Sequence, residues 1–182
     1  MEEELGSASV REQLITAGIE ELNAHGVAGF SLRRVAAACN ISCAAPYKHF
    51  KNKEELIGAI FSYIKRQLEL LLDQVAAVYQ GDSQTQLIES CVAYILFYIA
   101  NPNFRAVLMF SDKKLPLAQR VEKLVPLCLP ALSPQEQQDR GYVIRSIAYG
   151  AALMLERGEI PYQESMIQRI RGSLARELES PQ

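Results

Sequence analysis

The chain has 182 residues, of which 49% are hydrophobic and 22% charged, with a formal net charge of −2. That balance is ordinary for a globular protein and excludes a mostly disordered chain; the length suits one domain, or one domain with an appendage. The longest apolar run, Cys91–Ile99, is shorter than the roughly 18 residues a membrane span needs, and the acidic start MEEELGSAS does not read as a signal peptide. With four cysteines scattered except for Cys39 and Cys43, the expectation is a cytoplasmic protein with reduced thiols and no membrane association.

The net charge hides a segregation. From Leu22 to Lys53 the chain carries Arg33, Arg34, Lys48, Lys51 and Lys53, both histidines, and no Asp or Glu. A basic window on an acidic body is the electrostatic footprint of a nucleic-acid surface, although a solvated helical face would read the same way.

Along the chain, the periodicity predicts helices and no strand. Residues 1–9 read as a flexible arm. Val10, Leu14, Ala17, Ile19 and Leu22 recur at helical spacing, and Gly26 is the predicted stop. Ser31 can cap a helix LRRVAAA, with Leu32, Val35 and Ala36 inward and Arg33 and Arg34 outward. Asn40 falls where a tight turn wants a positive φ, Ile41 is an apolar plug, and Ser42 is placed to cap a third, short helix. Two short helices joined by a three- or four-residue turn make a helix-turn-helix. The third helix opens with small residues, Cys43, Ala44 and Ala45, and Pro46 lies early enough to be tolerated there. Such a helix can approach a groove closely, its N-terminal N–H groups favour phosphate, and Tyr47, Lys48 and His49 supply donors beyond it. Asn52 with Glu55 forms an N-terminal capping pair.

A long helix then runs from Lys53 to the Gly81-Asp82 break, and Ser83 is the predicted cap of the next, which is apolar nearly all round and therefore central. NFRAVLMF reads as a short helix. Pro116, Pro126 and Pro130 predict a broken or kinked segment over Lys114–Leu132. Ser133-Pro134-Gln135-Glu136 is a full start signal for a helix ending at Gly158, and Pro161 opens the last, to about Glu179. Cys91, Tyr94, Phe97, Tyr98, Phe104, Met109 and Phe110 form a stripe that is either core or the lining of a largely apolar ligand pocket, with Glu89, Arg105 or Arg145 as polar handles. On the last two helices, Ile144, Ile147, Ala148, Ala151 and Leu155, with Ile167, Ile170 and Leu174, are candidates for an oligomer interface, the alternative being packing within one chain.

The run Ser31–Leu56, SLRRVAAACNISCAAPYKHFKNKEEL, resembles the DNA-binding segment of TetR-family transcriptional regulators. Ser31, Val35, Ala36, Ile41, Ser42, Tyr47, His49, Phe50, Lys53 and Leu56 match the family's pattern; Asn40 stands for its usual glycine and Cys39 for its alanine. The resemblance covers about the first third of the chain. It implies an all-α fold with a three-helix helix-turn-helix domain over residues 1–53 and a helical ligand-binding and dimerisation domain over 54–182. It implies a homodimer on a near-palindromic operator in double-stranded DNA, with recognition helices roughly 34–36 Å apart, released by a small-molecule effector. It also places Ser31, Ser42, Tyr47, His49 and Lys53 near phosphates, Cys43, Ala44, Ala45 and Lys48 near base edges, and Arg33 and Arg34 near either. No cofactor is implied.

Other classes are weaker. One C-x₃-C pair without a second is a poor metal signal. Cys39 and Cys43 could instead act as a thiol switch on DNA binding, and a helical adaptor could use the basic face for an acidic protein. An enzyme is not expected, since there is no phosphate loop or nucleophile elbow, and His25 and His49 show no carboxylate close by in sequence.

Overall fold

The computed structural model describes residues 9–101 and 114–179. Among the described residues it is all-α, with seven α-helices, one 3₁₀ turn and no strand. They form two compact units that divide between Ile64 and Lys65. The division falls within a helix rather than at its start, because Leu56, Ile57, Ile60 and Ile64 belong to the core of the first unit.

In the first unit, α1 (Val10–Gly29) is started by a reciprocal cap: Glu12 N–H donates to Ser9 Oγ, and Ser9 N–H donates to the Glu12 carboxylate at 2.8 Å. Ser9, expected to lie in the flexible arm, is therefore ordered; the rest of that arm lies outside the described residues. Gly26 does adopt a positive φ of 64°, but it bends the helix, and the chain coils on to Gly29. α1 buries Leu14, Ile15, Gly18 and Leu22, whereas Val10 is exposed. Gly18 is where α3 comes closest, since a Cβ there would lie 2.6 Å from Ile60 Cδ1. α2 (Leu32–Ala38) buries Leu32, Val35 and Ala36 as expected. Asn40 follows at φ 55°, the one positive-φ non-glycine among the described residues, and the turn closes with Ile41 N–H donating to Ala36 O at 3.1 Å. A 3₁₀ turn, Pro46–Lys48, precedes α3 (Lys53–Val78), which Asn52 caps through Glu55 N–H at 2.9 Å.

In the second unit, α4 (Ser83–Ala100) packs against α5 (Pro116–Cys128), α6 (Pro134–Glu156) and α7 (Glu164–Glu177), the central place its composition predicts. Its cap is Asp82, which accepts from Thr85 N–H at 3.0 Å, so Ser83 is the first helical residue and not the cap. α5 is one helical run rather than a broken segment. Pro116 sits at its first positions, where a missing N–H costs nothing, Pro126 falls in the last turn and Pro130 lies beyond the end. α6 starts on the expected Ser133–Glu136 capping box, and Gly158, at φ 69°, follows its end. α7 begins later than Pro161, after Gln163 in extended backbone. The expected NFRAVLMF helix lies outside the described residues.

The first unit is tied together by Glu21. Its carboxylate is 8% exposed and accepts Ser31 N–H at 3.0 Å and Arg34 Nε at 3.0 and 3.1 Å, while Arg34 Nη2 also reaches it and the Gly29 carbonyl. Ser31 holds the cap position of α2, but its side chain makes no capping bond. Burial alone would raise the Glu21 carboxyl; the hydrogen bonds from Arg34 and Ser31, with the charges of Arg34 and His25, together hold it below the usual carboxylate range. A depressed folded-state value contributes stability that is present above the unfolded value, near 4.3, and is lost as pH falls through the folded one. Glu21→Gln should therefore cost about 1–3 kcal/mol at neutral pH. Below about pH 4, chemical denaturation should find the variant and the parent converging.

Candidate functional site

The exposed surface of the first unit is built by the segment after Asn40. Pro46 stands at the start of the turn, where its missing N–H costs little, and no α-helical ladder forms ahead of it. The chain closes three-residue bonds instead: Ala45 N–H to Ser42 O at 2.9 Å, Lys48 N–H to Ala45 O at 3.1 Å and His49 N–H to Pro46 O at 3.0 Å. The expected third helix is thus a tighter 3₁₀ arc of one turn. Pro46 and Phe50 are buried on its inner side, and Ser42, Cys43, Ala44, Tyr47, Lys48 and His49 face out. Tyr47 is 60% exposed, which makes it a surface group rather than a packing residue.

The cations divide into two kinds. Arg33 is exposed, and Lys53 is half-buried at the start of α3. Arg34, grouped with Arg33 from sequence, is committed to Glu21 and the Gly29 carbonyl. The basic window from Leu22 began one residue past its own counter-charge. The same carboxylate lies 3.8 Å from His25 Nε2, one turn along α1, so His25 does have a neighbouring carboxylate. One cation was missed. Arg11, exposed on the first turn of α1, lies with its guanidinium carbon 5.2 Å from the Phe50 ring centroid, beside the His49–Lys51 backbone. Nothing local in the sequence signals it, because Phe50 reaches α1 only through the fold.

Residues 14–60 match the sequence model described as bacterial regulatory proteins, tetR family. They are a TetR-family domain. The matched span runs from Leu14 on α1 through the turn and the 3₁₀ arc to Ile60 on α3. The chain is 29% identical over 98 residues to the probable acrEF/envCD operon repressor of Escherichia coli K12, an alignment covering 54% of this chain and 44% of that protein. It thus spans less than half the length of that curated relative. Solved structures share the fold across both units. A protein of unknown function from Rhodococcus sp. RHA1 aligns with TM-score 0.76 at 19% identity, over 96% of this chain and 98% of that one. A TetR variant from Acinetobacter baumannii AYE, in complex with minocycline, aligns with TM-score 0.60 at 15% identity, over 91% and 92% of the two chains.

Beyond the TetR-family domain, the structure sorts the residues singled out from sequence. Cys91, Tyr94 and Tyr98 are buried on α4, and Tyr94 packs on Tyr149 of α6 at 5.1 Å between ring centroids. Phe97 is half-buried, and Phe104, Met109 and Phe110 lie outside the described residues. Arg145 lines a cleft between α5 and α6, and its charge acts on Tyr149, the ring that packs on Tyr94. Of the eight candidate interface residues, Ile144, Ala148, Ala151, Leu155, Ile167, Ile170 and Leu174 are buried inside the single chain. Only Ile147 retains partial exposure. The cause is simple: α6 is apolar on more than one face, as its sequence indicates, and of the candidates on it only Ile147 lies on the outer one. Its outer face carries Val143, Ile147, Gly150 and Met154, at i, i+4, i+7 and i+11.

The thiols differ in environment. Cys43 is exposed, whereas Cys39 is half-buried with Sγ 3.5 Å from the Gln13 carbonyl, and burial raises its pKa. Cys91 is fully buried and pushed up to about 12. Since the thiolate is the nucleophile, iodoacetamide at pH 8 should label Cys43 first, Cys39 more slowly and Cys91 only on unfolding. Equal rates at Cys39 and Cys43, read by peptide mass spectrometry, would contradict this placement and favour the thiol-switch alternative.

Proposed function

We propose that the protein is a sequence-specific transcriptional regulator, most simply a repressor, that binds a near-palindromic operator as a dimer and is released by a small organic effector. The observation that carries the reading is the exposed Tyr47-Lys48-His49 edge of the 3₁₀ arc within the residues that match the TetR family. A phenol, an ammonium and an imidazole with no packing role suit phosphate oxygens, which fix register. Ser31, Ser42, Arg33 and Lys53 extend that set, and Arg11 adds a cation at the other end. Cys43, Ala44 and Ala45 present small apolar surface suited to thymine methyls, with Lys48 available to guanine. Arg34 serves as a strut rather than a contact. The E. coli relative is described as an operon repressor, which favours repression over activation.

The dimer would use the outer face of α6, where Val143, Ile147, Gly150 and Met154 form an exposed stripe narrow enough at Gly150 for close helix approach. A two-fold axis there makes the contact isologous. Effector release is a population shift: a ligand that prefers the arrangement unsuited to the operator lowers DNA affinity by its differential affinity for the two states. α3, common to both units, is the element through which such a shift would pass.

Two measurements test this. Selection of duplexes from a random pool should enrich a near-palindrome. Tyr47→Ala and His49→Ala should then weaken binding about equally for all sequences, and Arg11→Gln should reduce the steepness of the salt dependence by about one released counterion. Absence of any enriched sequence, with the variants indistinguishable from the parent, would sink the reading. Met154→Glu should convert a dimer to a monomer in sedimentation velocity and weaken operator binding, whereas retention of the dimer would place the interface elsewhere.

A further inference from the structure

We infer that the cleft between α5 and α6 is a binding site for an amphipathic monocarboxylate, an organic acid with a small apolar body, held through the guanidinium of Arg145. The inference rests on the effector-responsive reading above and gives that effector a chemical class.

The two helices pack along their length, and the cleft opens beside that contact. Gly141 faces α5 so closely that a Cβ there would stand 3.5 Å from Val121 Cγ1. Next to this contact lies a cavity of about 320 Å³, with Val121 and Val125 buried beneath it and Pro126, Pro134, Tyr142, Gln137 and Gln138 around it. That is the small end of the range for ligand pockets, roughly 300–1,000 Å³.

Three charged side chains line it: Lys114, Glu122 and Arg145. Lys114 Nζ holds both oxygens of Glu122, at 2.9 and 3.0 Å, so this pair is internally compensated. Arg145 has no carboxylate partner among the described residues. It donates Nε–H to the Gly141 carbonyl at 3.1 Å, and its guanidinium carbon lies 4.9 Å from the Tyr142 ring centroid. These two contacts orient the guanidinium plane and leave its two terminal nitrogens for a ligand. A fork fixed in this way matches the two oxygens of a carboxylate, and the match gains both energy and orientation.

The charge balance narrows the class. The lining is formally +1, which a monoanion neutralises. A dianion such as a phosphate monoester would leave excess charge in the cleft and face Glu122. A neutral ligand of the same shape would desolvate the guanidinium without replacing its water, at a cost. The two prolines and the Tyr142 ring present carbon surface suited to a hydrocarbon or aromatic body, and Gln137 and Gln138 bound it with amides. The site also lies off the proposed dimer stripe, since residues two apart on a helix do not face the same way and Arg145 falls between Val143 and Ile147. Ligand and dimer partner can therefore occupy α6 together, and the helix is positioned to feel both.

The test is calorimetric titration of the full chain with octanoate and benzoate, against octanamide and benzamide as uncharged isosteres. At least one acid should bind once per chain and about tenfold or more tighter than its amide, the discrimination expected of hydrogen bonds to a charged group. Arg145→Gln should abolish that discrimination, and Arg145→Lys should restore only part of it, because the fork is lost. Arg169→Gln, the same charge change at an exposed site on α7, should leave it intact. No binding of either acid at millimolar concentration, acid and amide binding alike, or an Arg145→Gln variant that discriminates like the parent would each overturn the assignment. The acid–amide comparison on the unaltered chain stands even where a variant fails to fold. Adding the acid to a complex with the selected duplex separates the two readings. Acid that binds through Arg145 without releasing DNA would overturn the effector role while leaving the site. A chain that selects no duplex would overturn the regulator without touching the site.

Discussion

The first unit depends on one buried carboxylate. Glu21 sits on α1, yet its partners, the Ser31 N–H and the Arg34 side chain, begin and line α2. A carboxylate at this depth is tolerable because it accepts from the Ser31 N–H and from the Arg34 guanidinium, a cation that offers it two nitrogens. The geometry of α2 against α1 follows from that requirement, and with it the position of the Asn40 turn and of everything beyond. Arg34 also closes on the Gly29 carbonyl, so the bend that Gly26 puts into α1 is held at its far end by the same side chain.

Downstream of Asn40, a short 3₁₀ turn shapes the surface. It keeps Pro46 and Phe50 inside while Tyr47, Lys48 and His49 face outward. An arc of this kind has fewer and weaker hydrogen bonds than an α-helix, which makes it more adjustable. Its ends are fixed by Ile41, hydrogen-bonded to Ala36, and by the buried ring of Phe50. Arg11 over that ring brings the start of α1 to the same edge.

The second unit is organised by the several faces of α6. One face, with Ile144, Ala148, Ala151, Ala152 and Leu155, fills the core. A second opens on the cleft with α5, where Gly141 sets the helix separation and Arg145 supplies the unpaired charge. A third carries an exposed apolar stripe that water does not favour. A helix so divided meets the core, a cleft and solvent on three different sides.

The local devices were legible in the sequence because each is decided within a few residues. The capping box at Ser133, the Asn52 cap, the positive φ at Gly26 and Asn40, the inward set of α2 and the central place of α4 all follow from side-chain chemistry close to the backbone it serves. The family resemblance of Ser31–Leu56 was legible for the same reason, since its pattern is compact. What only the tertiary structure decided involves partners far apart in the chain. Arg34 reads as a surface cation until Glu21 is found beneath it, and Arg11 reads as nothing until Phe50 arrives under it. The choice between the two apolar faces of α6 is settled by where α4, α5 and α7 lie, because hydrophobicity states that a face will be covered and not by what. Pro46 shows the boundary between the two kinds of information: its missing donor is written in the sequence, but whether a helix would end or merely tighten there depended on the burial of Phe50.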